Sequence, residues 1–169
     1  MIRWIGAAII LAASVGFCYC LTLTYAREEA ALKDLLRILE FMASELNSRL
    51  TPLPQLCGQA SKLGKGDVFN VFYHAFGYLQ SQTFPDASAC LEKAVNEVQS
   101  LPQLAKKNLL HLGQNLGRFD LDGQLAGLET VRQICLRDLQ GLENNSRENL
   151  RSYQTLGFSA GAALVILLI

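Results

Sequence analysis

Two charge-free apolar runs, one near each end, constrain this chain more than any other feature. From Trp4 to Tyr25 the sequence reads WIGAAIILAASVGFCYCLTLTY. At a rise of about 1.5 Å per residue, a helix of this length covers about 33 Å, enough to cross the apolar core of a bilayer. Arg3 and Arg27 bracket the run, and Trp4 and Tyr25 stand where aromatic side chains anchor at the two interfaces. The second run, Tyr153 to Ile169, is also free of charge and reaches about 25 Å as a helix. Thinning of the bilayer or snorkelling of Arg151 absorbs that shortfall. Residues 1–25 and 153–169 are therefore expected to be transmembrane helices.

A cleaved signal peptide is the alternative for the N-terminal run, because TYA at 24–26 loosely fits a cleavage site. The run is long for a signal, and a helical pattern continues straight out of it, which favours the membrane helix. A lipoprotein reading fails because Phe17 precedes Cys18 and Tyr19 precedes Cys20, where a small residue is needed. The two runs also account for the composition. Half of the 169 residues are hydrophobic and the mean hydropathy is +0.20, high for a soluble domain. The 15 basic and 15 acidic residues balance, so no global field draws the chain to nucleic acid.

Residues 26–152 read as helix throughout, with no sustained period-two alternation that signals strands. Breakers cut this stretch into six pieces. In the first, 26–50, Leu32, Leu35, Leu36, Leu39, Met42, Ala43 and Leu46 recur at three- and four-residue spacing and mark a buried face. TPLP follows, with Thr51 expected as N-cap and Pro52 at the first helical position. The second helix should run to about Leu63, and GKGD then gives a stop and a fresh cap at Asp67. The third, VFNVFYHAFGYLQSQ, is rich in aromatic residues and is expected at the centre of the core. FPD separates it from the fourth, 87–100. Leu101–Pro102 opens the fifth, which should end near Gly117, and the sixth should start at Asp120.

The expected fold is all-α: an antiparallel six-helix bundle between an N-terminal and a C-terminal transmembrane helix. Short links make neighbouring helices antiparallel, and an even number of helices returns the chain to the membrane it left. Parity then sends the first, third and fifth links to the end away from the bilayer, so TPLP and GRFDLDG should share one tip. The stretch from Arg118 to Glu129 also nearly spells a calcium loop, with Asp120, Asp122, Gly123 and Glu129 at the appropriate places. Arg118 occupies the first position, where an essential carboxylate is needed, and no second loop exists to pair with it. Helix capping by Asp120 or Asp122 explains the stretch better.

The remaining chemistry is sparse. The five cysteines form no C-x-x-C pair, and His74 and His111 have no cysteine at ligand spacing. No nucleophile elbow, phosphate-binding loop or His-Glu metal motif appears. The sequence thus predicts no enzyme, no metal and no cofactor, with neither nucleic acid nor a small molecule as ligand. A membrane-bound calcium or redox sensor, using 118–129 or the cysteines, is the competing function.

Three segments in order, TPLPQL (51–56), LGQNLGRFDLDGQ (112–124) and SYQTLGFSAGAALVILLI (152–169), resemble the stage III sporulation protein AB family. The resemblance spans the chain. It implies a membrane protein similar to half of the type II secretion platform protein, whose cytoplasmic domain is a six-helix bundle. It further implies a scaffold role in the channel apparatus between mother cell and forespore, docking a secretion-type ATPase and other channel subunits. The residues expected to bind partners are Thr51, Pro52, Leu53, Pro54, Arg118, Phe119, Asp120, Asp122 and Gln124. Arg27, Lys33, Arg147 and Arg151 flank the membrane on the bundle side, against Arg3 alone outside, which orients the bundle to the cytoplasm and suits anionic lipid headgroups. With the family resemblance, this puts it on the mother-cell membrane facing the forespore. Gly6 and Gly16 in the first apolar run, and the G-x-x-x-G of Gly157 and Gly161 in the last, are candidates for close helix packing in lipid.

Overall fold

The computed structural model describes the backbone of residues 2–117 and 121–168, and the side chains of residues 20, 22–117 and 121–145. Within these the chain forms six helices and no strand: α1 (Ile2–Arg49), α2 (Leu53–Leu63), α3 (Gly66–Ser81), α4 (Ala87–Glu97), α5 (Gln103–Asn115) and α6 (Leu121–Leu168). They group into two compact units. One is Glu28–Gln140; the other is Met1–Arg27 with Gly141–Ile169.

The Glu28–Gln140 unit has a continuous core. On α1 the leucine stripe is buried as the spacing predicts, from Leu32 to Leu46, and Ile38 joins it. Ala43 is only half-buried, at the edge of that stripe. Also buried are Leu56, Cys57 and Ala60 of α2, Val68, Val71 and Phe72 of α3, Leu109 and Leu112 of α5, and Leu128, Val131 and Cys135 of α6. The aromatic helix α3 differs from expectation. Phe72 is fully buried, but Tyr73 is 57% and Phe69 37% exposed. Val68, Val71 and Ala75 take the inward positions instead, since one face of a helix fills the core and α3 carries apolar residues on more than one.

The caps also depart in detail. Pro52, not Thr51, is the N-cap of α2, and the next proline, Pro54, falls in its first turn. Thr51 Oγ1 reaches back to donate to Glu45 Oε2 of α1, at 3.2 Å. Lys65 precedes α3, so Asp67 lies inside its first turn and accepts from Ser100 Oγ at 2.8 Å. Asp86 does cap α4, accepting from the Ala89 N–H at 2.7 Å. That helix ends at Glu97, three residues early, in a turn closed by Leu101 N–H to Val98 O.

In the other unit, the helical backbones of α1 and α6 continue through the terminal segments. Among the described residues, no helix is long and apolar enough to cross a membrane. Most side chains of the two expected spans, 4–25 and 153–169, lie outside the described residues.

Candidate functional site

Three helix ends meet at one end of the Glu28–Gln140 unit. Gly117, just past α5, has φ +75°, and a Cβ there would stand 3.2 Å from Ala87 Cβ and 3.6 Å from Leu53 Cδ2. Leu53 begins α2 and Ala87 begins α4, so the first, third and fifth links converge as helix parity requires. Of the expected partner-binding residues, this junction holds Leu53, with Thr51, Pro52 and Pro54 beside it in the chain. Pro52 is exposed; Thr51, Leu53 and Pro54 are half-buried. Asp122 is exposed in the first turn of α6, where a carboxylate suits the helix dipole, and Gln124 is half-buried. Arg118, Phe119 and Asp120 lie outside the described residues.

The opposite links also meet. Glu28 Oε1 and Oε2 accept from the N–H groups of Gln103 and Leu104, at 2.9 and 3.1 Å, and Ser100 Oγ, in the link before α5, donates to Asp67 at the start of α3. Of the expected membrane-proximal cations, Arg27 is exposed and Lys33 pairs with Glu29 one turn earlier on α1. The side chains of Arg3, Arg147 and Arg151 lie outside the described residues. Gly6, Gly16, Gly157 and Gly161 fall on helical backbone, with their surroundings outside the described residues.

The calcium-like stretch has a different chemistry. Residues 121–129 are already α-helix, so the Gln124 carbonyl, which a calcium loop turns toward the ion, is committed to the helix ladder. Glu129 is held by Arg132 Nε and Nη2, at 2.7 and 2.8 Å, and by Gln133 Nε2 at 3.1 Å. Those bonds, Arg132 first, hold its carboxyl down at about 2. No group of three potential metal ligands occurs among the described residues. Cys57, Cys90 and Cys135 are buried free thiols. Burial pushes Cys57 and Cys135 up to about 12, and a thiol kept protonated is a poor nucleophile.

Two features went unread in the sequence. One is Glu28, whose partners lie 75 and 76 residues away. The other is the outer face of α3, together with a carboxylate cluster beside it. There Tyr78 donates to Glu97 Oε1 at 2.6 Å, and His74 Nδ1 and Lys93 Nζ stand 3.6 and 3.7 Å from the same carboxylate. The Tyr78 hydrogen bond is the main cause that lowers the Glu97 carboxyl. The surplus of apolar residues on α3 was the one available signal.

Six helices, with the first, third and fifth links gathered at one end and the second and fourth at the other, define an all-α helical-bundle protein. A family model described as stage III sporulation protein AB matches residues 3–169, and the chain belongs to that family. This membership places it among sporulation proteins. A solved structure, "Stage III sporulation protein AB (SpoIIIAB)", is similar to it with a TM-score of 0.65 at 18% identity, over 72% of this chain and 98% of that one. At that identity the likeness is one of fold. The comparison with curated proteins returns no match.

Proposed function

We propose that this protein is a non-enzymatic membrane scaffold of the sporulation channel apparatus, whose bundle docks a secretion-type ATPase and other channel subunits at the junction around Gly117. In this reading residues 4–25 and 153–169 cross the bilayer and the bundle lies on the cytoplasmic side of the mother-cell membrane, facing the forespore. The charge-free runs and the distribution of flanking cations support the membrane arrangement. The observation that carries the docking role is the convergence of Leu53, Ala87 and Gly117. It brings Leu53, at the start of α2, close to Gly117, just past α5, and both residues lie in segments that carry the family resemblance, 51–56 and 112–124.

Arg118→Glu in the full chain tests the docking site, because an arginine at an interface centre often contributes about 2 kcal/mol or more. The expected result is a folded, membrane-inserted protein that no longer recovers the ATPase from membranes of sporulating cells and lowers spore yield. Normal sporulation by a folded Arg118→Glu protein sinks the site. Replacing Gly157 and Gly161 with Leu separately tests packing of the terminal segments: unchanged complex recovery reduces them to anchors.

A further inference from the structure

The outer face of α3 is an ordered aromatic ridge. Phe69 and Tyr73, both exposed, stack with ring centroids 5.7 Å apart and planes 18° from parallel. Phe76 extends the ridge at helical spacing, one turn further on. Across from it, α2 presents Gln55, Gln59 and Lys62 at the same spacing, all three exposed. Between the ridges runs an open groove of about 560 Å³. Gly58 lets the two helices approach there: a Cβ would stand 3.0 Å from Phe76 Cδ2.

The groove also has a charge sense. Lys62 stands on its wall and forms no ion pair among the described residues, and Lys65 is exposed three residues later. Between Arg49 and Asp86 the chain has one carboxylate, Asp67, which is engaged by Ser100 Oγ. A lysine on the groove wall beside stacked aromatic rings, with no ion pair among the described residues, favours an acidic and apolar ligand. Two parallel ridges at i, i+4, i+7 spacing fit the side-chain rows of a third helix.

From this we infer that the α2–α3 groove is a docking site for an amphipathic helix of a partner protein, one whose apolar stripe is flanked by carboxylates. Tyr73 and Phe69 supply the anchor contacts, Gln55 and Gln59 the polar rim, and Lys62 and Lys65 select the acidic flank. The groove uses none of the residues around Gly117, so this inference stands apart from the docking role proposed there.

The test takes the full chain in nanodiscs of neutral phosphatidylcholine. The probe is a fluorescent helical peptide of about 18 residues, with leucines along one stripe and glutamates flanking it. A matched peptide carries lysine for every glutamate. The acidic peptide is expected to bind saturably, the basic one more weakly. Tyr73→Ser, at an exposed position, should weaken acidic-peptide binding about tenfold while the helical circular dichroism is unchanged. Lys62→Glu with Lys65→Glu should invert the charge preference. Absence of saturable binding, equal affinity for the two peptides, or indifference to Tyr73→Ser overturns the inference. Self-association that Tyr73→Ser abolishes makes the occupant a second copy and overturns it too. So does quenching by brominated lipid of Tyr73→Trp in a Trp4→Phe background, which lays the groove on the bilayer.

Discussion

Glu28 caps α5 from across the bundle: its carboxylate accepts the Gln103 N–H at 2.9 Å and the Leu104 N–H at 3.1 Å. Pro102, the residue at the N-cap position itself, offers no side-chain acceptor. The cap is therefore supplied by α1 and satisfies two of the N–H groups that a helix start leaves open. Glu28→Ala should lower stability by about 1 kcal/mol, in the range of cap deletions. The urea midpoint of the full chain in detergent measures it, and a midpoint equal to wild type removes the cap from the account.

Gly117→Ala should destabilise through two causes at once. Its φ of +75° is a left-handed conformation that a Cβ disfavours, and the added Cβ would meet Ala87 Cβ at 3.2 Å. A loss of about 1–2 kcal/mol is expected from the backbone term. Gly66→Ala shares the positive φ, at +53°, but meets nothing within 4 Å. Its melting temperature should fall less, and equal losses at the two sites remove the contact with Ala87 from the explanation.

Asn108 is fully buried, and its Nδ2 donates both to Leu104 O and to Asp138 Oδ2 of α6, each at 2.9 Å. Its Oδ1 has no hydrogen-bond partner among the described residues. Asn108→Ala should cost about 1–3 kcal/mol, since it opens a cavity and leaves Asp138 with the 4.0 Å approach of Lys107. Asp138→Ala should cost less, because Leu104 O still satisfies Nδ2. Denaturation of both variants side by side gives the order, and the reverse order refutes this account of the pair.

Glu129 ties stability to acid pH. Its folded-state carboxyl is lowered to about 2, chiefly by Arg132. A lowered carboxylate stabilises the fold above its ordinary value of 4.5 and loses that contribution as pH falls toward about 2. Glu129→Gln should leave a flatter melting-temperature curve across that window. Curves that run parallel to wild type would show that the Arg132 pair has no share in acid unfolding.

The helical register was legible because its signals are local. Leu32, Leu35, Leu39, Met42 and Leu46 repeat at the helical period, and all five are buried. Pro52, Pro54, Pro102 and the Asp86 cap mark helix starts within a residue or two. The convergence of the links at Gly117 followed from counting helices, since antiparallel neighbours leave alternate links at the same end. Thr51 and Asp67 were misread as caps for a related reason. Each has the right local chemistry for a helix start, but a side chain elsewhere, Glu45 or Ser100, bonds it instead.

The sequence by itself determined the number of helices, the buried stripe of α1, the apolar terminal runs and the family. Each of these follows from periodicity, breakers or motif order along the chain. Only the tertiary structure decided which of α3's several apolar faces turns inward, putting Phe72 in the core and Tyr73 at the surface. It alone paired Glu28 with α5 and Asn108 with Asp138. The physical reason is the same in each case. Periodicity identifies apolar faces but cannot rank two of them on one helix. A hydrogen bond between residues tens of positions apart depends on helix rotation and offset, which packing of the whole core fixes and no local pattern encodes.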